Sequence, residues 1–186
     1  IVKESIDKVL KNAPVKTIVH NPITQTKTQL DATHSQFEEI FKAVTCPDVN
    51  VCLVGPSGSG KTSIAKQIAK ALNYDFVVVS ITAGISEGNL TGWLLPLGKE
   101  GQFLHIDAQA LKKWQEGNCV LLIDELDSGD PNTLLIANTM LSQSYMFLPQ
   151  RYEQPEVKRG KNVFVIGAMN TYGTGADMIC HFTSAI

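Results

Sequence analysis

The apolar positions of this chain fall into short unbroken runs separated by stretches with helical spacing. Val51-Cys52-Leu53-Val54, Phe76-Val77-Val78-Val79, Cys119-Val120-Leu121-Leu122-Ile123 and Val163-Phe164-Val165-Ile166 are dense and mostly β-branched or aromatic. Runs of this kind predict strands buried on both faces, as in a parallel sheet. Around them, Phe37, Ile40, Phe41 and Val44 recur at i, i+3, i+4 and i+7, predicting an amphipathic helix from His34 to Val44 that Pro47 ends. Ile64, Ile68, Ala71 and Leu72 predict a second helix over Ser63 to Leu72. Asp107 is placed to cap a helix from Ala108 to Glu116, with Gly117 closing it. Asp130 is placed to cap another, with Pro131 at its first position and Leu134, Ala137, Asn138 and Leu141 along one side. Strands alternating with helices predict an α/β fold.

The pattern is weaker elsewhere. Val2 to Leu10 predicts a short helix, Val15 to Val19 a short strand, and the polar stretch Thr24 to Asp31 a loop. Residues 1–33 therefore read as a lead segment and residues 34–186 as the core. Thr82 to Leu97 is irregular; Gly98-Lys99-Glu100-Gly101 is a turn, from which Gln102 to Ile106 returns as one arm of a hairpin. Tyr145 to Leu148 starts a second hairpin that returns near Val157.

The candidate chemistry sits where strands end. Gly55-Pro56-Ser57-Gly58-Ser59-Gly60-Lys61-Thr62, followed by Ser63, joins the first dense run to the helix after it. This satisfies G-x-x-x-x-G-K-[ST] between a strand and a helix, the setting the P-loop requires. Glycines let the backbone wrap so that its N–H groups face phosphate oxygens, and the helix N-terminus adds partial positive charge there. Lys61 is placed to reach β- and γ-phosphates, and the Thr62 hydroxyl to ligate Mg²⁺. The run ending at Ile123 leads into Asp124-Glu125, at the sheet edge where open α/β sheets bind ligands. Asp124 is expected to hold Mg²⁺ largely through water, and Glu125 to polarise an attacking water. Asn170, at the tip of the last dense run, is placed to reach the γ-phosphate or that water; a turn-forming asparagine is the plainer alternative.

Composition narrows the partners. The 186 residues include 44% hydrophobic ones, enough for a core, and the net charge of −2 advertises no basic face for nucleic acid. Neither a membrane-spanning run nor a secretory leader is expected. Cys46, Cys52, Cys119 and Cys180 form no C-x-x-C pair. They read as buried free thiols in a reduced, cytoplasmic setting. His20, His34, His105 and His181 have no metal-ligand spacing and read as ordinary histidines. The chain starts at Ile1 and stops at Ile186 in mid-pattern, as a piece of a longer protein would.

The order of these motifs resembles Walker A, Walker B and sensor 1 of AAA+ ATPases. Glu87-Gly88-Asn89-Leu90-Thr91-Gly92, the Gly98–Gly101 turn, Leu122-Ile123-Asp124-Glu125-Leu126-Asp127 and Asn170-Thr171-Tyr172-Gly173-Thr174-Gly175-Ala176 are similar to the MoxR branch, including the cobaltochelatase small-subunit type. The resemblance covers roughly residues 34–180. It implies a three-layer αβα sandwich around a mostly parallel sheet in order 5-1-4-3-2, with the fifth strand, helical lid and arginine finger lying after Ile186. It implies ATP as nucleotide, hexameric rings, and remodelling of a client protein or assistance to metal insertion, often beside a partner with a von Willebrand A domain. The hairpin near Gly98 would be the insert facing a partner or the central pore. Trp93 reads as a core tryptophan, with a pore-facing aromatic as the alternative. A nucleic-acid motor or loader and a small-molecule P-loop kinase share the phosphate loop; the first needs a basic tract, the second an acceptor-binding lid.

Overall fold

The computed structural model describes residues 17–20, 27–30, 33–47, 49–82, 87–98 and 101–170. Its centre is a four-stranded parallel sheet in the order β3-β10-β7-β4. These strands are β3 (Val51–Val54), β4 (Asp75–Ser80), β7 (Cys119–Asp124) and β10 (Val163–Met169). They are the four dense apolar runs, and they stand in the 1-4-3-2 part of the expected order.

Period-two alternation sends each strand's side chains to opposite faces. Val120 and Leu122 of β7, with Ile166 and Ala168 of β10, enter one hydrophobic cluster. Leu121 and Ile123, with Val163 and Val165, enter the other. The first face is covered by α1 (Phe37–Thr45) and α2 (Lys61–Leu72). The second is covered by α4 (Gln109–Glu116) and α5 (Pro131–Ser142). The result is the expected αβα sandwich. Each fully buried Leu or Ile in these clusters contributes about 1.5–3 kcal/mol of transfer free energy.

Smaller elements decorate this core. An antiparallel ribbon of β1 (Thr17–His20) and β2 (Lys27–Leu30) places Val19 and Leu30 in the first cluster. The polar stretch around β2 was expected to be a loop; burial of Leu30 against α2 and pairing with β1 outweigh its composition. The expected helix at Val2–Leu10 lies outside the described residues. A short α3 (Gly88–Thr91) precedes the hairpin of β5 (Trp93–Pro96) and β6 (Phe103–Ile106). Gly92 between them has φ +118°, and a Cβ there would stand 2.2 Å from the Ile106 carbonyl oxygen, so only glycine fits. The second hairpin pairs β8 (Tyr145–Phe147) with β9 (Glu156–Lys158), burying Met146 opposite Val157.

Several local expectations are corrected. Asp107 does not cap α4, whose N-cap is Ala108 and has no side-chain cap bond. Instead the Asp107 carboxylate accepts from His105 Nδ1 at 3.0 Å and faces the Arg151 guanidinium, with Nε at 3.4 Å, partners that outcompete a cap. Asp130 does cap α5, accepting from the Asn132 and Thr133 N–H groups. The Thr133 hydroxyl and these backbone donors hold its carboxyl below the usual value. Of the side of α5 expected to face the core, Ala137 is buried and Leu134 and Leu141 pack against the second cluster, while Asn138 is exposed; Thr133 and Met140 are buried beside them. Trp93 is half exposed, not core; the core tryptophan is Trp114, whose Nε1–H donates to the Met140 carbonyl at 3.0 Å.

Cys46 and Cys52 are exposed rather than buried. Cys52 alternates away from Leu53 on β3, which has β10 as its one lateral neighbour among the described strands. Cys119 is buried as expected, its thiol donating to the Lys113 carbonyl at 3.2 Å. Burial, then the charge of Asp75, pushes that thiol up to about 11. Iodoacetamide at neutral pH should therefore modify Cys46 and leave Cys119 intact until the protein unfolds, read by peptide mapping. Equal labelling of the two in the native state would contradict this packing. Cys180 lies outside the described residues.

Candidate phosphate-binding site

Three strand ends and one helix start converge at the C-terminal edge of the sheet. β3 leads into the loop 55–60, which turns through Gly58 (φ +80°) and Gly60 (φ +91°) before α2 begins at Lys61. The Gly55 N–H donates to the Met169 carbonyl at 3.2 Å, tying the loop's first residue to the end of β10. Loop residues Ser57, Gly58, Ser59 and Gly60 then border a cavity of about 250 Å³ with the start of α2. Pro56 lies beside it, in the wall of a second cavity.

Lys61 is the cation of this site. Its Nζ donates to the Gly55 carbonyl at 2.7 Å, the Pro56 carbonyl at 3.2 Å and Asn170 Oδ1 at 3.0 Å. The last bond spans 109 positions of sequence and joins the loop to the tip of β10. Thr62 Oγ1 donates to Asp124 Oδ2 at 3.0 Å, joining the start of α2 to the end of β7. Asp124 Oδ1 accepts the Glu125 N–H at 2.9 Å. Glu125 itself has φ +59°, a left-handed conformation costing a non-glycine residue about 1–2 kcal/mol. The strain turns the chain out of β7 just where the second carboxylate meets the cavity, and Ser63 and Asn170 complete the lining. Every residue expected at the site from the sequence is thus brought to one sheet edge; Gly55 and Pro56 border the neighbouring cavity, and the rest line the phosphate-side cavity itself.

The donor set fits Mg²⁺ accompanied by phosphate. Thr62 and Asp124 present hard oxygens, and Mg²⁺ is typically held by one or two such groups plus phosphate and water rather than by an all-protein cage. Next to the loop, a cavity of about 470 Å³ runs between β3 and the start of α1, bordered by His34, Gln36, Glu39, Ile40 and Ala43. Its size and mixed walls suit a nucleoside.

Two residues at the site were not singled out from the sequence. Asp127, buried two positions beyond Glu125, accepts the backbone N–H of Asn170 through Oδ2 at 3.2 Å. It therefore fixes the backbone of the residue that binds Lys61. His34 Nε2 lies 3.1 Å from the Ser59 carbonyl oxygen. A second acid after Asp-Glu is a faint signal for Asp127; for His34, far upstream of the loop, the sequence offers none.

The family described as AAA domain (dynein-related subfamily) matches residues 50–179. The chain is 31% identical over 152 residues to Lon protease homolog, mitochondrial 1, of Dictyostelium discoideum, covering 72% of this chain and 16% of that one. An uncharacterized protein of Staphylococcus epidermidis is 30% identical over 135 residues, 71% of this chain and 51% of its own length. NtrX from Brucella abortus superposes with a TM-score of 0.52 at 20% identity, covering 91% of this chain and 34% of that one. This last likeness is one of fold. The chain spans about half of the staphylococcal relative and far less of the Dictyostelium one.

Proposed function

Because the chain belongs to the AAA domain family, dynein-related subfamily, we propose that it binds ATP with Mg²⁺ and hydrolyses it to remodel a partner protein or assist insertion of a metal or cofactor. Residues 34–186 form the nucleotide-binding core in this reading, residues 1–33 a lead segment, and the MoxR branch is the nearest assignment within AAA+ proteins. The observation that carries it is the pair of hydrogen bonds linking the loop to two strand tips, Lys61 Nζ–Asn170 Oδ1 and Thr62 Oγ1–Asp124 Oδ2. A turn that merely happened to be rich in glycine would have no reason to gather a cation, a hydroxyl and two carboxylates around one cavity.

The roles follow from charge and position. The backbone N–H groups of Ser57, Gly58, Gly60 and the first turn of α2 would face the phosphates, and Lys61 would exchange its contacts with the Gly55 and Pro56 carbonyls for phosphate oxygens. Thr62 and Asp124 hold Mg²⁺, which when bound supplies Lewis-acid charge to the phosphate oxygens. Glu125 takes the proton of the attacking water, and Asn170 orients that water or the γ-phosphate while steadying Lys61. Phosphate should leave as inorganic phosphate; its transfer to a metabolite would instead favour a kinase. No described helix is long and apolar enough to cross a membrane. A cytoplasmic client protein, one with a von Willebrand A domain included, suits this reading.

The chain's arginines bear on assembly. Arg159 donates through its guanidinium to the Leu141 and Val163 carbonyls, at the start of β10 and so about 20 Å along the strand from Asn170. Arg151 faces Asp107. Neither is aimed at the phosphate cavity, so an arginine that stabilises transition-state charge would come from elsewhere, as it does between neighbouring subunits of a ring. Such an arginine contributes about 10³–10⁵ in rate, or roughly 4–7 kcal/mol of barrier. Residues 1–186 alone should therefore hydrolyse ATP slowly at every concentration, and any longer chain that carries such an arginine faster per subunit as concentration rises a hundredfold. A concentration-independent turnover of about 1 s⁻¹ by residues 1–186 would remove the shared-site part of this reading.

A further inference from the structure

His34 stands just before α1 and touches the phosphate loop from outside. Its Nδ1 lies 3.2 Å from the Gln36 backbone nitrogen. A backbone N–H can only donate, so Nδ1 is the acceptor and the neutral ring carries its proton on Nε2. That Nε2–H then donates to the Ser59 carbonyl at 3.1 Å. The backbone N–H of His34 donates in turn to Gln67 Oε1 on α2 at 3.0 Å, which anchors the residue from its other side. The ring also lies against Gly60: a Cβ there would come within 3.0 Å of the imidazole Cδ2.

Peptide planarity converts this contact into control of the loop. The Ser59–Gly60 bond is trans, so its C=O and N–H point in opposite directions. With the carbonyl held toward His34, the Gly60 N–H is turned away from the imidazole, and Gly60 helps to line the phosphate-side cavity as well as the neighbouring one. His34 also borders the neighbouring, nucleoside-sized cavity. Resting on the ATP-binding reading above, we propose that His34 is a positioning residue of the phosphate loop. Its Nε2–H sets the Ser59–Gly60 peptide plane, so that the Gly60 N–H is presented to phosphate, and its ring couples the nucleoside side of the site to the phosphate side.

The test uses the full chain and three probes: Mg-ADP, inorganic pyrophosphate with Mg²⁺, and adenosine. His34→Phe keeps a flat ring beside the nucleoside cavity but has no N–H; His34→Gln keeps a donor without the ring. His34→Phe should weaken Mg-ADP and pyrophosphate by about tenfold and leave adenosine within about twofold. His34→Gln should recover pyrophosphate binding to within about threefold of wild type. Wild-type pyrophosphate affinity in His34→Phe, equal losses for adenosine and pyrophosphate, or no recovery in His34→Gln overturns the proposal. If the wild-type protein binds neither Mg-ADP nor pyrophosphate, the ATP-binding reading itself fails. If it binds both, and His34→Phe binds them equally well, only the role of His34 falls. Should the variants not fold, the imidazole ¹⁵N spectrum of the wild-type protein decides. A proton on Nε2 and a bare Nδ1 support the bond to Ser59, and the reverse tautomer removes it.

Discussion

Replacing Lys61 by alanine should weaken Mg-ATP binding by at least about a hundredfold, ~3 kcal/mol, while leaving the fold in place. Lys61 is the one side-chain cation at this sheet edge among the described residues, and its three contacts are all to neutral oxygens. Bound phosphate would exchange those neutral partners for anionic ones, and charge-assisted bonds of that kind are the strong ones. Alanine forfeits them. It also frees Asn170 Oδ1, so the tip of β10 loses its tie to the loop. The helix should survive, because alanine is the best helix former and the buried face of α2 starts at Ile64. Calorimetric titration with Mg-ATP, paired with a thermal melt, separates the two effects. Undiminished affinity in a folded variant would take the loop out of the mechanism.

Replacing Glu125 by glutamine should produce the complementary result, with ATP bound and scarcely hydrolysed. The amide matches the carboxylate in shape and can occupy the same left-handed backbone, so the turn out of β7 is kept. It cannot accept a proton from water. General-base catalysis is typically worth about 10²–10⁴ in rate, so single-turnover hydrolysis should slow by that order. Asp124 and Thr62 remain to hold Mg²⁺, which is why binding should persist. A rate within about twofold of wild type, ~0.4 kcal/mol of barrier, would assign the base to another group. The two variants report on different steps, and only a protein that uses both residues as proposed gives loss of binding in one and loss of turnover in the other.

What was legible in the chain was local. β3, β4, β7 and β10 announce themselves because a strand buried on both faces has to be apolar at nearly every position, a pattern few other structures require. The phosphate loop is legible because glycine spacing, a following lysine and a helix start are contiguous. Asp124, Glu125 and Asn170 were placed by their position at strand ends, since parallel strands all deliver their C-terminal residues to one edge.

Several of the errors arose where a deciding partner, or the lack of one, lay outside the local stretch. Asp107 looks like a cap until His105 and Arg151 claim its carboxylate. The stretch at β2 looks like a loop until β1 pairs with it and α2 covers Leu30. Cys52 looks buried because its run is apolar, but β3 has only one neighbouring strand among those described. Trp93 and Trp114 cannot be told apart by hydrophobicity; Trp114 is buried because Met140 offers its indole N–H a carbonyl.

By itself, then, the sequence determined the α/β class, the four central strands, the phosphate loop and the residues at its edge. Each of these depends on short-range pattern and on chain direction. Only the tertiary structure decided how the edge is wired: that Lys61 binds Asn170, that Thr62 binds Asp124, that Asp127 holds the Asn170 backbone and that His34 grips Ser59. Those contacts are hydrogen bonds, short in reach and strict in angle. Whether two groups far apart in the chain meet within 3.2 Å depends on strand order and helix packing, which no local spacing encodes.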